Sequence, residues 1–134
     1  LKVGMKRRAG GAVLEHQDPQ LDLMDLPIIT SWPEDGGPFI TLPLVYTEHP
    51  VDGRHNLGMY RMQRHDSSHL GLHFQIHKGS GYHLMEAERL QKPFPVTCFL
   101  GGPPALIASA VAPLPENIGE LLLASLLQGA PIRL

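Results

Sequence analysis

Hydrophobic and polar residues alternate most regularly over residues 70–77 of the chain. The apolar positions are Leu70, Leu72, Phe74 and Ile76, and the positions between them hold Gly71, His73, Gln75 and His77. A repeat of two residues is typical of a β-strand with one face in the core and the other turned outward. The pattern therefore predicts a strand over Leu70 to His77, whose polar face looks toward solvent or a binding site.

Short apolar runs earlier in the chain predict further strands. They cover Ala12 to His16, Phe39 to Thr47 and Asn56 to Gln63. The stretch His49 to Gly53 contains Pro, Asp and Gly, which favour a turn, so the last two strands should form a hairpin. Pro43 has no backbone N–H to donate and predicts a sheet edge or a bulge.

The second half of the chain combines helices with one strand. Ser80 is a favourable cap for a helix over Gly81 to Gln91, and Pro93 ends that pattern. The run Val96 to Leu100 is apolar apart from Thr97, and it predicts a buried strand.

Two more helices are predicted toward the end of the chain. Pro104 lies near the start of the first of them, which runs through Val111. Asn117 can cap the second, over residues 118–128, and Gly129 closes it. The last four residues are typical of a strand that is just starting.

The order of these elements predicts an α+β fold around an antiparallel sheet or barrel. A length of 134 residues fits one domain, and 14 glycines with 13 prolines agree with a turn-rich chain. We expect one sheet or barrel to contain the strands Phe39 to Thr47, Asn56 to Gln63, Leu70 to His77 and Val96 to Leu100.

Composition and charge argue against several classes of protein. A formal net charge of −2 gives no support for a nucleic-acid-binding surface. No run of about eighteen apolar residues is present, so no membrane-spanning helix is expected. No signal peptide is visible either, which predicts a cytoplasmic protein. The single cysteine, Cys98, excludes an internal disulfide and, within its apolar run, predicts a buried inert thiol.

Both ends of the chain are expected to continue into further protein. Residues 1–11 contain Lys2, Lys6, Arg7 and Arg8 with three glycines, and are expected to be a linker or the end of a preceding segment. The chain begins with a leucine and stops where a strand is expected to start. We therefore expect residues 12–134 to be one domain of a longer protein.

The segment Asn56-Leu57-Gly58-Met59-Tyr60-Arg61 holds the most informative side chains. An amide oxygen suits a hard cation. A guanidinium can bind a carboxylate or a phosphate through two parallel N–H bonds. The six residues therefore fit a site for an anionic ligand beside a metal ion, with an exposed strand of ordinary polar residues as the alternative.

Five segments, in their order along the chain, resemble the UbiD family of decarboxylases, which use prenylated FMN. They are Asp25 to Thr41, Asn56 to Arg61, His73 to Lys78, Gly101 to Ala105, and Pro113 to Pro115 ahead of Glu120. The resemblance covers approximately Ala12 to Leu134. It implies a split β-barrel of the FMN-binding type, like that of flavin reductases, with helices in the C-terminal half. It also implies that the chain is truncated before the family's C-terminal domain.

The resemblance implies a metal site as well. Asn56, His77 and Glu120 match the family's Mn²⁺ ligands, which join the ion to the flavin phosphate. An amide oxygen, an imidazole and a carboxylate suit such an ion better than they suit a thiolate-type zinc site. Two alternatives remain: His77 as a surface histidine, and Glu120 as a first-turn glutamate favoured by the helix dipole. K⁺ is a further candidate ion.

Arg61 matches the family's catalytic arginine, which binds the substrate carboxylate, and a solvated strand arginine is the alternative. Asn56 and Arg61 are five residues apart, so a regular strand would point them to opposite faces. A bulge or bend at Gly58 is therefore expected, so that both reach one site. The cofactor-binding residues that the resemblance implies are Gly58, Met59, Tyr60, Arg61, Ala112 and Pro113.

The activity that the resemblance implies is non-oxidative removal of CO₂ from an aromatic or α,β-unsaturated acid, as in the 3-polyprenyl-4-hydroxybenzoate decarboxylases of ubiquinone biosynthesis. A small carboxylic acid would be the substrate, and a homo-oligomer is expected for the full-length protein. The family's catalytic glutamate pair lies downstream of the last helix, so residues 1–134 alone are expected to be inactive. The alternatives are a non-catalytic flavin-binding or assembly module and a flavin reductase-like FMN-binding split barrel.

Overall fold

The computed structural model of the chain describes residues 4–75, 79–115 and 118–133. These ranges contain eight strands and three α-helices, as expected for an α+β domain. The strands are Met5–Lys6 (β1), Phe39–Ile40 (β2), Pro43–Glu48 (β3), His55–Met59 (β4), Met62–Arg64 (β5), Leu70–Leu72 (β6), Val96–Leu100 (β7) and Ile132–Arg133 (β8). The α-helices are Gly79–Arg89 (α1), Pro104–Val111 (α2) and Glu120–Gln128 (α3).

The strands form three small sheets instead of the single sheet or barrel that was predicted. Their orders are β4-β3-β7, β2-β5-β6 and β1-β8, and no closed barrel forms over the ranges given above. The reason is that two predicted strands are each divided between two sheets. Phe39 to Thr47 breaks after Ile40, and Asn56 to Gln63 breaks after Met59. Pro43 opens β3, a position where its missing N–H is tolerated.

The predicted hairpin is confirmed and forms the centre of the molecule. β3 and β4 pair without interruption from Leu44 opposite Met59 to Glu48 opposite His55. In the turn, the backbone N–H of His49 donates to the Arg54 carbonyl over 2.7 Å. Gly53 has a φ of +70°, in the left-handed region that favours glycine.

The two faces of this hairpin carry different layers. Leu44 and Leu57 are fully buried on one face, against α2 and α3. Thr47 and Asn56 face each other across the strands on the opposite side, where α1 packs. The main buried cluster contains Leu44, Leu57, Leu106, Leu121, Ala124 and Ile132.

Several predicted strands differ from the structure. The strand predicted over Ala12 to His16 is instead a short 3-10 helix at Ala12–Leu14, and this segment pairs with no strand in the described ranges. The strand predicted over Leu70 to His77 is regular only in β6, where β5 pairs with it, and its end at Ile76 and His77 lies outside the described residues. β7 is a strand as predicted, but it is mostly exposed, since it lies at an edge of its sheet. Cys98 is consequently exposed, not buried.

The helices agree more closely with their local signals. Pro104 begins α2. Gly129 ends α3 in the left-handed conformation, with a φ of +70°, and its N–H donates to the Leu126 carbonyl. Ser80 lies inside α1, not at its cap, and the predicted cap Asn117 is outside the described residues. No helix in the described ranges is long and apolar enough to cross a bilayer.

The N-terminal segment is partly attached to the domain. β1 pairs in parallel with β8, with Met5 opposite Ile132. The backbone N–H of Gly4 donates to Ser125 Oγ over 2.9 Å. These contacts connect the two ends of the described chain to the far end of α3.

Candidate functional site

An open cleft of about 1660 Å³ lies along β4, between α1 and the segment that follows α2. Every predicted site residue in the described ranges lines this cleft. These residues are Asn56, Gly58, Met59, Tyr60, Arg61, Ala112, Pro113 and Glu120. The remaining predicted ligand, His77, lies outside the described residues.

The position of β4 explains why its backbone can meet a ligand. β4 is an edge strand, so the N–H groups on its outer side have no partner strand. One of them, on Leu57, donates to Glu120 Oε2 over 3.2 Å. The first residue of α3 is thereby connected to the residue next to Asn56. A Cβ on Gly119 would lie 3.2 Å from His55 Nε2, so glycine at position 119 avoids a close contact with that ring.

Asn56 is held between the hairpin and the start of α1. Its Nδ2 donates to Ser80 Oγ over 2.9 Å. A Cβ on Gly79 would overlap the Oδ1 atom of Asn56, so the amide fits only because residue 79 is glycine. The side chain that was predicted as a metal ligand is therefore fixed in place by helix α1.

A buried hydrogen-bond chain continues inward from Asn56. Ser80 Oγ lies 3.1 Å from Thr47 Oγ1, and Thr47 Oγ1 lies 3.0 Å from His83 Nδ1. Thr47 is 1% exposed and His83 is 7% exposed. Burial, and then the neighbouring His49, lower the pKa of His83 below its usual value, so the ring is neutral at pH 7.

Sequence reasoning missed this hydrogen-bond chain, because Ser80 was interpreted as a helix cap. A signal was present nevertheless. Ser80 and His83 are three residues apart on a helix and share one face. Thr47 lies opposite Asn56 in the register that the hairpin imposes. Combining the hairpin register with the helix periodicity would have brought these polar side chains together.

Arg61 reaches the cleft by a different route from the one predicted. Gly58 pairs regularly with Val45, so the bulge expected at Gly58 is wrong. The change of direction falls instead at Tyr60 and Arg61, where the chain passes from β4 to β5. The guanidinium carbon of Arg61 lies 4.5 Å from the centre of the Phe39 ring, a cation–π contact.

The charges of the cleft favour an anionic ligand. Two of its guanidinium groups have carboxylate partners: Arg54 binds Asp52 at 2.8 Å, and Arg89 binds Glu86 at 2.6 Å. Within the part of the chain that the structure describes, Arg61 has no carboxylate within 4.0 Å. Its two parallel N–H donors are thus available to a carboxylate or phosphate in the cleft.

The described residues by themselves do not form a metal site. No group of three His, Cys, Asp or Glu side chains among residues 4–75, 79–115 and 118–133 could hold an ion. The amide of Asn56 and the carboxylate of Glu120 are brought to one wall of the cleft. Both are oxygen donors, as a hard divalent cation prefers.

Gly58 has a packing role in the wall of the cleft. A Cβ there would overlap the Tyr60 ring, which packs edge-on against Phe74 with centroids 5.1 Å apart. Gly58→Ala should displace this ring and destabilise the protein by about 1–3 kcal/mol. Urea denaturation of the protein measures the change. Gly10→Ala is the matched control, because a Cβ at Gly10 meets nothing within 4 Å. Equal stability of the two variants would contradict the packing role.

A protein-family model matches most of the chain. Residues 5–134 match the UbiD family model, described as a 3-octaprenyl-4-hydroxybenzoate carboxy-lyase Rift-related domain. An uncharacterized protein of Chlamydia muridarum is 61% identical over 123 residues, which cover 92% of this chain and 21% of that protein. A 4-hydroxybenzoate decarboxylase subunit of Chlamydia pneumoniae is 59% identical over 112 residues, covering 84% of this chain and 19% of that protein.

Solved structures agree with this family match. The UbiD-class enzyme HmfF from Pelotomaculum thermopropionicum, in complex with FMN, superimposes with a TM-score of 0.88 and 26% identity, over 99% of this chain and 30% of that one. The apo 3,4-dihydroxybenzoic acid decarboxylase AroY of Klebsiella pneumoniae gives a TM-score of 0.75 and 30% identity, over 87% of this chain and 25% of that one. This chain spans about a fifth of the length of the curated relatives named above.

Proposed function

The chain belongs to the UbiD family, and we propose that it is the cofactor-binding part of a decarboxylase that releases CO₂ from an aromatic or α,β-unsaturated acid. The observation that carries the proposal is the composition of one cleft. It combines the outer edge of β4, the oxygen donors of Asn56 and Glu120, and the guanidinium of Arg61, which has no carboxylate partner among the residues that the structure describes. A cleft with these groups fits a large anionic cofactor beside a small acid.

The large volume and the polar groups of the cleft support prenylated FMN and a divalent metal ion as its ligands. Its volume of about 1660 Å³ exceeds the roughly 300–1,000 Å³ of most small-molecule sites. Asn56, Glu120 and His77 would hold Mn²⁺, with K⁺ as a further candidate ion. The backbone of 58–61 would contact the cofactor, and Ala112 and Pro113 would line it. When bound, prenylated FMN supplies the electron sink that lets CO₂ leave.

In this proposal Arg61 binds and orients the substrate carboxylate. A carboxylate that leaves water for an apolar site loses its hydration, and only a paired charge compensates for that loss. The fork of the guanidinium also fixes the direction of the C–CO₂⁻ bond relative to the cofactor. We assign no general acid to residues 1–134.

The wider architecture follows from the same proposal. The sheets β4-β3-β7 and β2-β5-β6 would be the two halves of the family's split β-barrel. Residues 12–134 would form this domain and residues 1–11 would connect it to a preceding segment. A homo-oligomer in the cytoplasm would be the working form of the full-length protein.

The direct test is CO₂ release by the full-length protein, with the cofactor and metal varied separately. We expect release from aromatic or α,β-unsaturated acids with prenylated FMN and Mn²⁺. FMN in place of prenylated FMN, or removal of Mn²⁺ by a chelator, should stop it. A protein that binds prenylated FMN and releases no CO₂ from any such acid would instead be a flavin-binding or assembly module.

Residues 1–134 on their own should bind prenylated FMN weakly and turn over no acid. Losing a positioned general acid typically reduces the rate by about 10²–10⁴. An open cleft also leaves the phosphate and metal hydrated, which weakens the contacts that hold them. Flavin absorbance after gel filtration and CO₂ release measure the two effects. Turnover by these residues at the rate of the full-length protein would contradict the proposed division of roles.

A further inference from the structure

The buried chain from Asn56 to His83 begins at a bond with a defined donor. The amide Nδ2 of Asn56 donates to Ser80 Oγ. Either hydroxyl of the Ser80–Thr47 pair could be the donor, and the role of His83 Nδ1 depends on its tautomer. When Nδ1 carries no proton, Thr47 donates to it and Ser80 donates to Thr47 Oγ1. This sequence of donors requires an unprotonated Nδ1 on His83.

The surroundings of His83 provide such a nitrogen. The ring is 7% exposed and packs edge-on against His49, with centroids 5.4 Å apart. Burial is the largest cause that lowers its pKa, and the charges of His49, Arg54 and His55 act in the same direction. Only Asp52 acts against them among the named causes. A neutral imidazole has one acceptor nitrogen, and in the tautomer that carries its proton on Nε2 this acceptor is Nδ1, the nitrogen 3.0 Å from Thr47 Oγ1.

The direction matters because the two ends of an asparagine amide have nearly the same shape and opposite polarity. If the chain of donors ran the other way, Ser80 would donate to the oxygen of the Asn56 amide. The NH₂ group would then take the place of the oxygen in the cleft. An NH₂ group cannot bind a cation, so the orientation of the amide decides whether Asn56 is a metal ligand.

We propose that Ser80, Thr47 and His83 are positioning residues, which orient the Asn56 amide so that Oδ1 is presented to a divalent cation. This rests on the proposed function, in which Asn56 is a metal ligand. All three residues are at least nine-tenths buried, and their hydrogen bonds join α1 to β3. They touch neither substrate nor cation, and they act through Asn56 alone.

The test is Mn²⁺ affinity of the full-length protein, measured by electron paramagnetic resonance with Mn²⁺ alone as the probe. Thr47→Val keeps the shape of the side chain and removes the hydroxyl that joins Ser80 to His83. It should weaken Mn²⁺ binding by about 10–100-fold, as loss of an outer hydrogen bond to a metal ligand does. Thr47→Ser keeps the hydroxyl and should stay within about threefold of the wild type. A general loss of structure would lower the affinity of both variants and the thermal midpoint as well. Affinity of Thr47→Val equal to that of the wild type overturns the proposal.

Two further variants separate the possible failures. Ser80→Ala removes one buried hydroxyl without altering the sheet, and it should weaken Mn²⁺ binding by a similar factor even if Thr47→Val does not fold. Unchanged Mn²⁺ binding in Ser80→Ala overturns the proposed positioning role. Asn56→Ala tests the ligand itself: if it leaves Mn²⁺ affinity unchanged, the proposed metal site is wrong. If Asn56→Ala abolishes Mn²⁺ binding while Thr47→Val and Ser80→Ala do not weaken it, only the positioning role is wrong.

Discussion

Arg61→Ala in the full-length protein is expected to abolish decarboxylation while the flavin stays bound. Arg61 is the guanidinium of the cleft without a carboxylate partner in the described ranges. Removing the partner of a desolvated carboxylate leaves that charge uncompensated, so the rate should fall on the order of 10²–10⁴. The cofactor should remain, because residue 61 is expected to contact it through the backbone. CO₂ release and flavin absorbance, measured on the same sample, report the two quantities.

Arg64→Ala is the matched control for this experiment. Arg64 lies three residues further along, on β5, and its side chain donates to the Leu23 carbonyl over 3.3 Å. It is not part of the cleft wall. The exposed cation–π contact of Arg61 with Phe39 contributes only about 0.5–1 kcal/mol, so unfolding cannot explain a large loss of activity. Unchanged turnover in Arg61→Ala, or equal losses in both variants, would refute the role assigned to Arg61.

Glu120→Gln should release the metal ion while the domain stays folded. The amide oxygen of glutamine can still accept the hydrogen bond from the Leu57 N–H, which Glu120 Oε2 accepts over 3.2 Å. What the substitution removes is the negative charge that a divalent cation needs. Loss of a charged ligand should weaken Mn²⁺ binding by on the order of 100-fold or more, since loss of an outer-shell partner alone weakens it by about 10–100-fold. Prenylated FMN should also be retained less well.

The control for Glu120→Gln is Glu88→Gln, at an exposed position of α1 outside the cleft wall. It makes the same change of charge and should leave Mn²⁺ binding as in the wild type. Mn²⁺ titration and thermal unfolding of both variants distinguish loss of the ligand from loss of the fold. Wild-type Mn²⁺ affinity in Glu120→Gln would show that Glu120 only accepts the hydrogen bond from the Leu57 N–H and interacts favourably with the helix dipole of α3.

Features that depend on a few neighbouring residues follow their sequence signals, whereas features that depend on distant residues do not. Gly129, the turn from His49 to Gly53 and the start of α2 at Pro104 depend on the conformational preferences of a few neighbouring residues, and the structure agrees with them. The division of Phe39 to Thr47 between two sheets could not be predicted in this way. Which sheet a strand joins depends on partners that are distant in the sequence.

The candidate site shows the same limit. The resemblance to a family selected Asn56, Arg61 and Glu120, and the structure brings all three to one cleft. The buried hydrogen-bond chain of Ser80, Thr47 and His83 was not predicted, because its hydrogen bonds connect Thr47 to residues 33 and 36 positions away. Position 80 has the signal of a helix cap when it is considered alone.

The sequence by itself determined the α+β class, the β3–β4 hairpin, the start of α2 and the end of α3, because those depend on side-chain periodicity and turn chemistry over a few residues. It also determined the family, through segments that are specific in their order. Only the tertiary structure decided that β4 is an edge strand, that the chain turns at Tyr60 and Arg61 instead of bulging at Gly58, and that the Asn56 amide donates to Ser80 of α1. These features depend on which surfaces pack together, and packing joins residues whose separation along the chain has no local pattern.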